Sequence, residues 1–238
     1  MSQKQCDIFM ENTRNNELKP YIDLLGKKKG SLFFKRMFDL ILAVLVLLIV
    51  SPVLVLCAIA IKIDSRGPVF YRQERVGRFD LTFRIFKFRT MVADADKMGP
   101  QITVQRDPRI TRVGRFLRVT RLDEFVQMLN IINGDMSLVG PRPEVRRYVD
   151  KYTDEQMATL LIRPGVTGSA SVAFKDENDM LDHAQDPEAT YINEILPVKM
   201  AINLQYLKDL SVWEDIKILA NTVLCVFNSK PSSKYKGK

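Results

Sequence analysis

The sequence predicts an α/β fold, mostly helical with short strands: a small cytoplasmic globule on a re-entrant membrane helix–break–helix. Three observations carry this. Leu40–Ile61 is a 22-residue run without a charge, divided by Ser51-Pro52. Only two short stretches, Val69–Tyr71 and Phe79–Met91, alternate as strands do, whereas 122–132, 145–162, 196–210 and 212–227 carry apolar residues at helical spacing. The charge is uneven: residues 62–147 hold 18 basic and 10 acidic groups, and 15 of those bases are Arg. That bias favours phosphate ligands or anionic surfaces. The 238 residues carry a net charge of +8. They divide into an arm (1–30), a membrane hairpin with basic flanks (31–64), a main domain (65–228) and a Ser/Lys-rich disordered tail (229–238).

The arm is polar and reads as flexible or locally helical. It is no secretory signal, because about 39 residues precede the apolar run and no small-residue cleavage site follows it. The run itself is long enough for one spanning helix. Ser51-Pro52 splits it into 12 and 10 residues. Each half is about 16 Å long, roughly one leaflet, and proline removes a backbone hydrogen bond there. Lys27, Lys28, Lys29, Lys35 and Arg36 precede the run, and Lys62, Arg66, Arg72 and Arg75 follow it. The positive-inside rule therefore places both ends in the cytoplasm. A helix that enters and leaves by one leaflet satisfies both facts; a kinked spanning helix is the alternative.

Past Gly67-Pro68, the alternation of Phe83, Ile85 and Phe88 with Arg84, Lys87 and Arg89 predicts a strand pair turned at Gly77–Asp80. A short acidic helix is expected at 93–98. Leu122, Phe125, Val126 and Leu129 predict an amphipathic helix from Leu122 to about Ile132, closed by Gly134. Asp123 and Glu124 sit in its first turn, off the apolar stripe and bracketed by Arg118, Arg121 and Arg142. Thr120 and Asp123 also have capping-box spacing, and acids are favoured in any first turn. Arginine suits bidentate phosphate recognition, and two prolines stiffen Pro141-Arg142-Pro143. A carboxylate among arginines at a helix start stays ionised and available as a nucleophile. Arg163 lies in the turn-rich Arg163–Gly168 loop.

Cys6, Cys57 and Cys225 form neither a disulfide framework nor a metal pattern. The single histidine, His183, lies among acids on an expected surface, so carboxylates must do any acid–base work. No P-loop, dinucleotide fingerprint or internal repeat is present.

These pieces together resemble the bacterial sugar transferases, the monotopic phosphoglycosyl transferases that load a sugar phosphate onto a polyprenol phosphate. The resemblance runs from about Lys35 to Phe227. It rests on KR-x-x-D at Lys35–Asp39, Ser51-Pro52 in the apolar run, GPVFYRQERVGR at Gly67–Arg78, KFRTM at Lys87–Met91, LDE at Leu122–Glu124, GDMSLVGPRPE at Gly134–Glu144 and RPGVTG at Arg163–Gly168. It implies a UDP-sugar donor and undecaprenyl phosphate as acceptor. Asp123 would be the nucleophile and Mg²⁺ ligand, and Glu124 an acid/base or lipid-phosphate positioner. Arg118 and Arg142 match phosphate-binding positions; Lys87, Arg89 and Arg163 complete the expected substrate site, and Ser51-Pro52 the membrane break. Location at the cytoplasmic face of the inner membrane follows, with membrane lipids as partners, a homodimer as an open assembly and no nucleic acid. The chain departs from many relatives after Gly168, reading SASVAFKDEND, and at Leu196-Pro197-Val198-Lys199, which leaves the sugar open. Two other readings are a basic membrane-tethered adaptor and a polyprenol diphosphate hydrolase with water as acceptor.

Overall fold

The computed structural model describes residues 8–9, 16–95 and 107–227. The acidic helix expected at 93–98 runs into residues outside that set, as does the tail from 229. The elements used below are α1 (Lys19–Lys27), α2 (Lys29–Asp64), β1 (Phe70–Val76), β2 (Thr82–Phe88), α3 (Arg112–Thr120), α4 (Met128–Asn133), β3 (Ser137–Val139), β4 (Gly165–Thr167), α5 (Leu196–Asp209) and α6 (Val212–Phe227). Single helical turns fill much of the rest. The mostly helical composition with few short strands agrees with the sequence.

α2 corrects one expectation. The chain does not break at Ser51-Pro52; it stays helical from Lys29 to Asp64 with Pro52 inside. Proline cannot bond the carbonyl four residues back, which is that of Leu48. The Ser51 hydroxyl donates to that carbonyl instead, at 2.9 Å. The serine thus satisfies the acceptor that proline orphans, in a segment where no water need be present. Most of the run is bare: Leu45, Leu48, Ile49, Val55 and Leu56 are all exposed, and only 17% of its most apolar window is buried. By length and composition it is the one helix, among the described residues, able to cross a membrane.

Both ends of α2 are tied to the globule. Near the start, Arg36 donates to the carbonyls of Ile131 (2.7 Å) and Met136 (3.2 Å). Asp39 accepts from the Leu138 amide (3.2 Å) and the Ser137 hydroxyl (2.7 Å). Lys35 donates to Asp215 of α6 (2.6 Å) and to the Val139 carbonyl (2.9 Å), and Tyr206 of α5 donates to the other Asp215 oxygen (2.6 Å). At the far end, Asp64 accepts from the Val113 amide (3.0 Å), and Arg89 donates to the carbonyls of Ser65 (2.8 Å) and Arg66 (3.0 Å). Between them Leu54, Cys57 and Ile61 pack on Phe88, Leu117 and Val126.

β1 and β2 form the expected antiparallel ribbon, with Tyr71 opposite Lys87 and Gln73 opposite Ile85. A second, parallel pair, β3–β4, joins the two loops that carry arginine. The backbones close in so tightly that a side chain at Gly165 would place its Cβ 2.1 Å from the Gly140 nitrogen. Gly114 likewise lets α3 lie on the end of β2, where a Cβ would meet the Thr90 carbonyl oxygen at 2.0 Å. α5 and α6 have nearly the bounds read from the sequence. Part of the arm is structural: α1 buries Tyr21 and Leu25 in the main core beside Leu207 and Leu210 of the α5 end.

Candidate active site

The dyad lies on a tighter helix than its apolar spacing suggests. Leu122–Gln127 is a 3₁₀ turn, and α4 begins only at Met128. With three residues per turn, positions i and i+3 eclipse. Asp123 therefore shares a side with Val126, and both are buried, at 1% and 3% exposure. An α-helix would have turned Asp123 off the apolar stripe. Arg121, in the left-handed conformation at φ 58°, makes the corner between α3 and this turn. The capping-box alternative is not realised: the Thr120 hydroxyl donates back to the Phe116 carbonyl at 2.9 Å, and the turn has no side-chain cap.

Lys87 and Arg142 converge on the dyad. Lys87 Nζ lies 3.0 Å from Asp123 Oδ2 and 3.3 Å from Glu124 Oε1. Arg142 grips Glu124 with both terminal nitrogens, at 2.7 and 3.4 Å. The Pro141–Pro143 loop is delivered by β3, and Arg142 also donates to the Val166 carbonyl of β4 at 3.4 Å. Burial pushes the Glu124 carboxyl up, but Arg142, Lys87 and Arg121 overcome it and hold the group well below the usual carboxylate range. The adjacent Glu124 charge in turn raises Arg142. One oxygen of the Asp123 carboxylate, Oδ2, is thus held by Lys87, and the other, Oδ1, is buried without a hydrogen-bond partner among the described residues.

Arg118 sits at the rim. Its Nε donates to the Thr90 hydroxyl at 2.8 Å; burial lowers its guanidinium while the Asp123 charge raises it. The remaining two expected arginines are elsewhere. Arg89 is spent on Ser65 and Arg66 at the end of α2. Arg163 donates to the Gly134 carbonyl at 2.7 Å, closing the turn after α4. Neither touches the dyad.

Sequence reasoning passed over the layer behind Arg142. Glu144 accepts from the Tyr191 hydroxyl at 2.6 Å and lies 3.5 Å from Lys199, which also pairs with Glu177 at 3.0 Å. Lys199 is 5% exposed, buried because two carboxylates face it. Arg75 donates to the Pro143 carbonyl at 3.2 Å. The signal was one charged residue in each of three separate segments, Arg75, Glu144 and Lys199, otherwise read as ribbon, loop and amphipathic helix.

Replacing Arg142 or Arg118 with Lys keeps the charge and loses the planar fork. Each is expected to reduce turnover about tenfold or more, since a charge-assisted hydrogen bond contributes roughly 1.5–3 kcal/mol. Near-normal turnover in both variants would show that neither fork meets the substrate.

A caged carboxylate pair at a helix corner, beside a stiffened arginine loop, is chemically suited to binding anionic groups and attacking them. The comparisons agree. Residues 30–229 match the family described as Bacterial sugar transferase, and the chain belongs to it. A UDP-glucose:undecaprenyl-phosphate glucose-1-phosphate transferase from Escherichia coli (strain K12) is 39% identical over 236 residues, 94% of this chain and 48% of the relative. A UDP-N-acetylgalactosamine-undecaprenyl-phosphate N-acetylgalactosaminephosphotransferase from Aeromonas hydrophila is 38% identical over 194 residues, 80% of this chain and 43% of the relative. An undecaprenyl-phosphate galactose phosphotransferase from Salmonella typhimurium is 33% identical over 214 residues, 84% of this chain and 41% of the relative. The chain spans about half the length of the curated relatives it matches first.

Proposed function

We propose that this chain transfers a sugar phosphate from a UDP-sugar to undecaprenyl phosphate at the cytoplasmic face of the inner membrane. The observation that carries the reading is the Asp123 carboxylate, buried, steadied at one oxygen by Lys87 and uncommitted at the other. In the first step Asp123 Oδ1 attacks the phosphorus that bears the sugar. The phosphorus–oxygen bond to the nucleotide breaks, UMP leaves with the electron pair, and a phospho-aspartate remains. In the second step an oxygen of the polyprenol phosphate attacks the same phosphorus. The aspartyl bond breaks, the carboxylate is regenerated, and polyprenol diphosphate sugar departs. No proton need move in either step. Glu124, held ionised by Arg142 and Lys87, serves to aim these two cations at the phosphates rather than to donate a proton.

Mg²⁺ fits this site. The described residues contain no group of three or more metal-ligating side chains, so an all-protein cage is not built. Mg²⁺ is usually held by one or two carboxylates with substrate phosphates and water. Asp123 is such a carboxylate: its Oδ2 already faces a cation, Lys87 Nζ at 3.0 Å, while Oδ1 is left for attack. When bound, the ion would offset the charge of the diphosphate.

The anchoring of α2 supports a one-leaflet topology, with both ends of the unbroken helix on the cytoplasmic side. Asp39 and Asp64 are about 37 Å apart along a helix, more than the ~30 Å hydrocarbon core. A helix crossing that core would carry them to opposite faces, yet both bond the same globule. Exposed Phe116 and Val119 on α3 and Trp213, Val223 and Leu224 on α6 add apolar surface for the membrane boundary. Single cysteines at Lys29 and Arg66, in a background lacking Cys6, Cys57 and Cys225, should both react with impermeant thiol reagents only from the cytoplasmic side. Labelling of one of them from outside would establish a spanning helix.

The relatives name glucose, galactose and N-acetylgalactosamine, so the sugar is to be found by assay. A panel of those UDP-sugars with Mg²⁺ and undecaprenyl phosphate should give UMP and a lipid-linked sugar with at least one. Release of free sugar phosphate or inorganic phosphate without lipid product would identify the hydrolase instead.

A further inference from the structure

We propose that the groove along the outer edge of β1 seats the nucleoside monophosphate half of the donor, the part that leaves as UMP. This rests on the reading of the donor as a UDP-sugar. The groove encloses about 470 Å³ between β1 and the Val145–Arg147 turn. That volume is within the range of small-ligand sites. The cavity on the other side of the Pro141–Glu144 loop holds only about 10 Å³, too little for more than a water.

The groove lies on the ribbon whose other strand, β2, carries Lys87 to the dyad. Along an antiparallel pair, alternate residues share a face. Tyr71, Gln73 and Arg75 therefore lie on the same face of the ribbon as Lys87, and Tyr71 is its cross-strand partner. Lys87 is the residue 3.0 Å from Asp123. The row thus runs from the nucleophile outward along β1.

Two guanidiniums follow in succession. Arg142 is on Glu124. Arg75 is next, bonded to the Pro143 carbonyl (3.2 Å) and to Gln73 (2.7 Å), with Glu144 at 4.0 Å. Its Nε is buried with no partner among the described residues. A diphosphate presents two anionic centres in succession. With the sugar-bearing phosphate at Asp123 and Arg142, the nucleoside-bearing phosphate reaches toward Arg75 and its unused N–H.

The strand edge offers the base something to read. The Arg89 amide bonds the Val69 carbonyl, so in this register residues 71, 73 and 75 turn their backbone groups toward β2. Residues 70, 72, 74 and 76 turn theirs outward. Val76 gives its amide to the Glu144 carbonyl at 2.9 Å. The outward N–H and C=O of Arg72 and Glu74 face the groove as alternating donors and acceptors. The uracil ring carries the complementary imide, a carbonyl acceptor beside an N–H donor. A seat beside Asp123 rather than over it also lets UMP depart without crossing the path of the lipid phosphate.

The test uses 4-thio-UMP, a photoreactive copy of the leaving group, with the full chain in bilayer nanodiscs. Near-ultraviolet light followed by peptide mapping should place the crosslink on residues 71–76 or 145–147, and UMP should compete it away. In parallel, Arg75→Gln should raise the UMP concentration needed to inhibit turnover about tenfold, as loss of one charge-assisted hydrogen bond does, and leave the KM for undecaprenyl phosphate unchanged. Crosslinks confined to other segments, such as 169–190, with UMP release intact, would overturn the groove and leave the proposed reaction standing. No UMP release from any UDP-sugar and no crosslink anywhere would overturn both.

Discussion

Asp123→Asn is expected to abolish sugar-phosphate transfer, lowering UMP release by about a thousandfold or more, as loss of a covalent nucleophile does. The amide keeps the size of the carboxylate but lacks its nucleophilic oxygen and its charge. Lys87 keeps a carboxylate partner in Glu124 at 3.3 Å, and the second cation, Arg142, is held by Glu124 rather than by Asp123, so the fold has reason to persist. Retained UDP-sugar binding with lost turnover is the expected pair of results, read by equilibrium binding and UMP release. Turnover within tenfold of the parent would remove Asp123 from the reaction. Glu124→Gln differs in kind. It releases Arg142 and Lys87 from their anchor while leaving the nucleophile, so slower turnover with some residual adduct is expected.

Lys35→Met should be the most damaging substitution outside the site. Lys35 and Asp215 are 5% and 1% exposed, and the lysine joins α2 to α6 and to the Val139 carbonyl. Methionine leaves the Asp215 carboxylate buried with Tyr206 as its remaining bond, and breaking a buried pair in this way costs about 3–5 kcal/mol. In a domain of this size that is a fall in Tm of roughly 10 °C. The pH dependence has a definite sign. Burial raises Asp215 above its ordinary value even in the parent, with Lys35 opposing the rise. Without the lysine the carboxyl rises further. A folded-state acid raised above its unfolded value loses stability as pH increases through it, so the deficit of Lys35→Met should narrow as pH falls. Differential scanning fluorimetry between pH 5 and 8 reads both effects. A Tm within about 2 °C of the parent at every pH would show that the cluster does not hold α2 to the globule.

Asp123, Glu124, Lys87 and Arg142 were legible because they lie in short, chemically unusual strings: an acid pair at a helix start, a basic residue on a ribbon, and an arginine between prolines. The helices of residues 196–227 and the β1–β2 ribbon were legible from periodicity. What periodicity misses is visible at particular residues. The 3₁₀ turn at Leu122–Gln127 contains too few residues for spacing to separate it from an α-helix, and that difference buries Asp123. The β3–β4 pair has three residues per strand and lies between turn signals, so Arg163–Gly168 reads as loop; the pairing, and the close approach of Gly165 to Gly140, appear only in the folded chain. Arg89 and Arg163 lie in motifs that the resemblance assigns to the substrate site, but the groups they bond, Ser65 and Arg66 for one and the Gly134 carbonyl for the other, are brought near by folding. Pro52 signals a lost hydrogen bond, and the sequence alone does not reveal that the Ser51 hydroxyl replaces it. Lys35 and Asp215 are 180 residues apart, and no local pattern connects them.

The central claim is a covalent intermediate on Asp123, and it is tested most directly without the acceptor. The full chain in nanodiscs free of polyprenol phosphate, mixed with a UDP-sugar it accepts and Mg²⁺, should release about one UMP per active site and then stop. Intact-mass and peptide spectra should show one added sugar phosphate on the peptide containing Asp123, and the adduct should disappear, with lipid-linked sugar formed, when undecaprenyl phosphate is added. UMP release that begins only after lipid is supplied, with no mass added to Asp123, would contradict the account and establish direct displacement within a ternary complex.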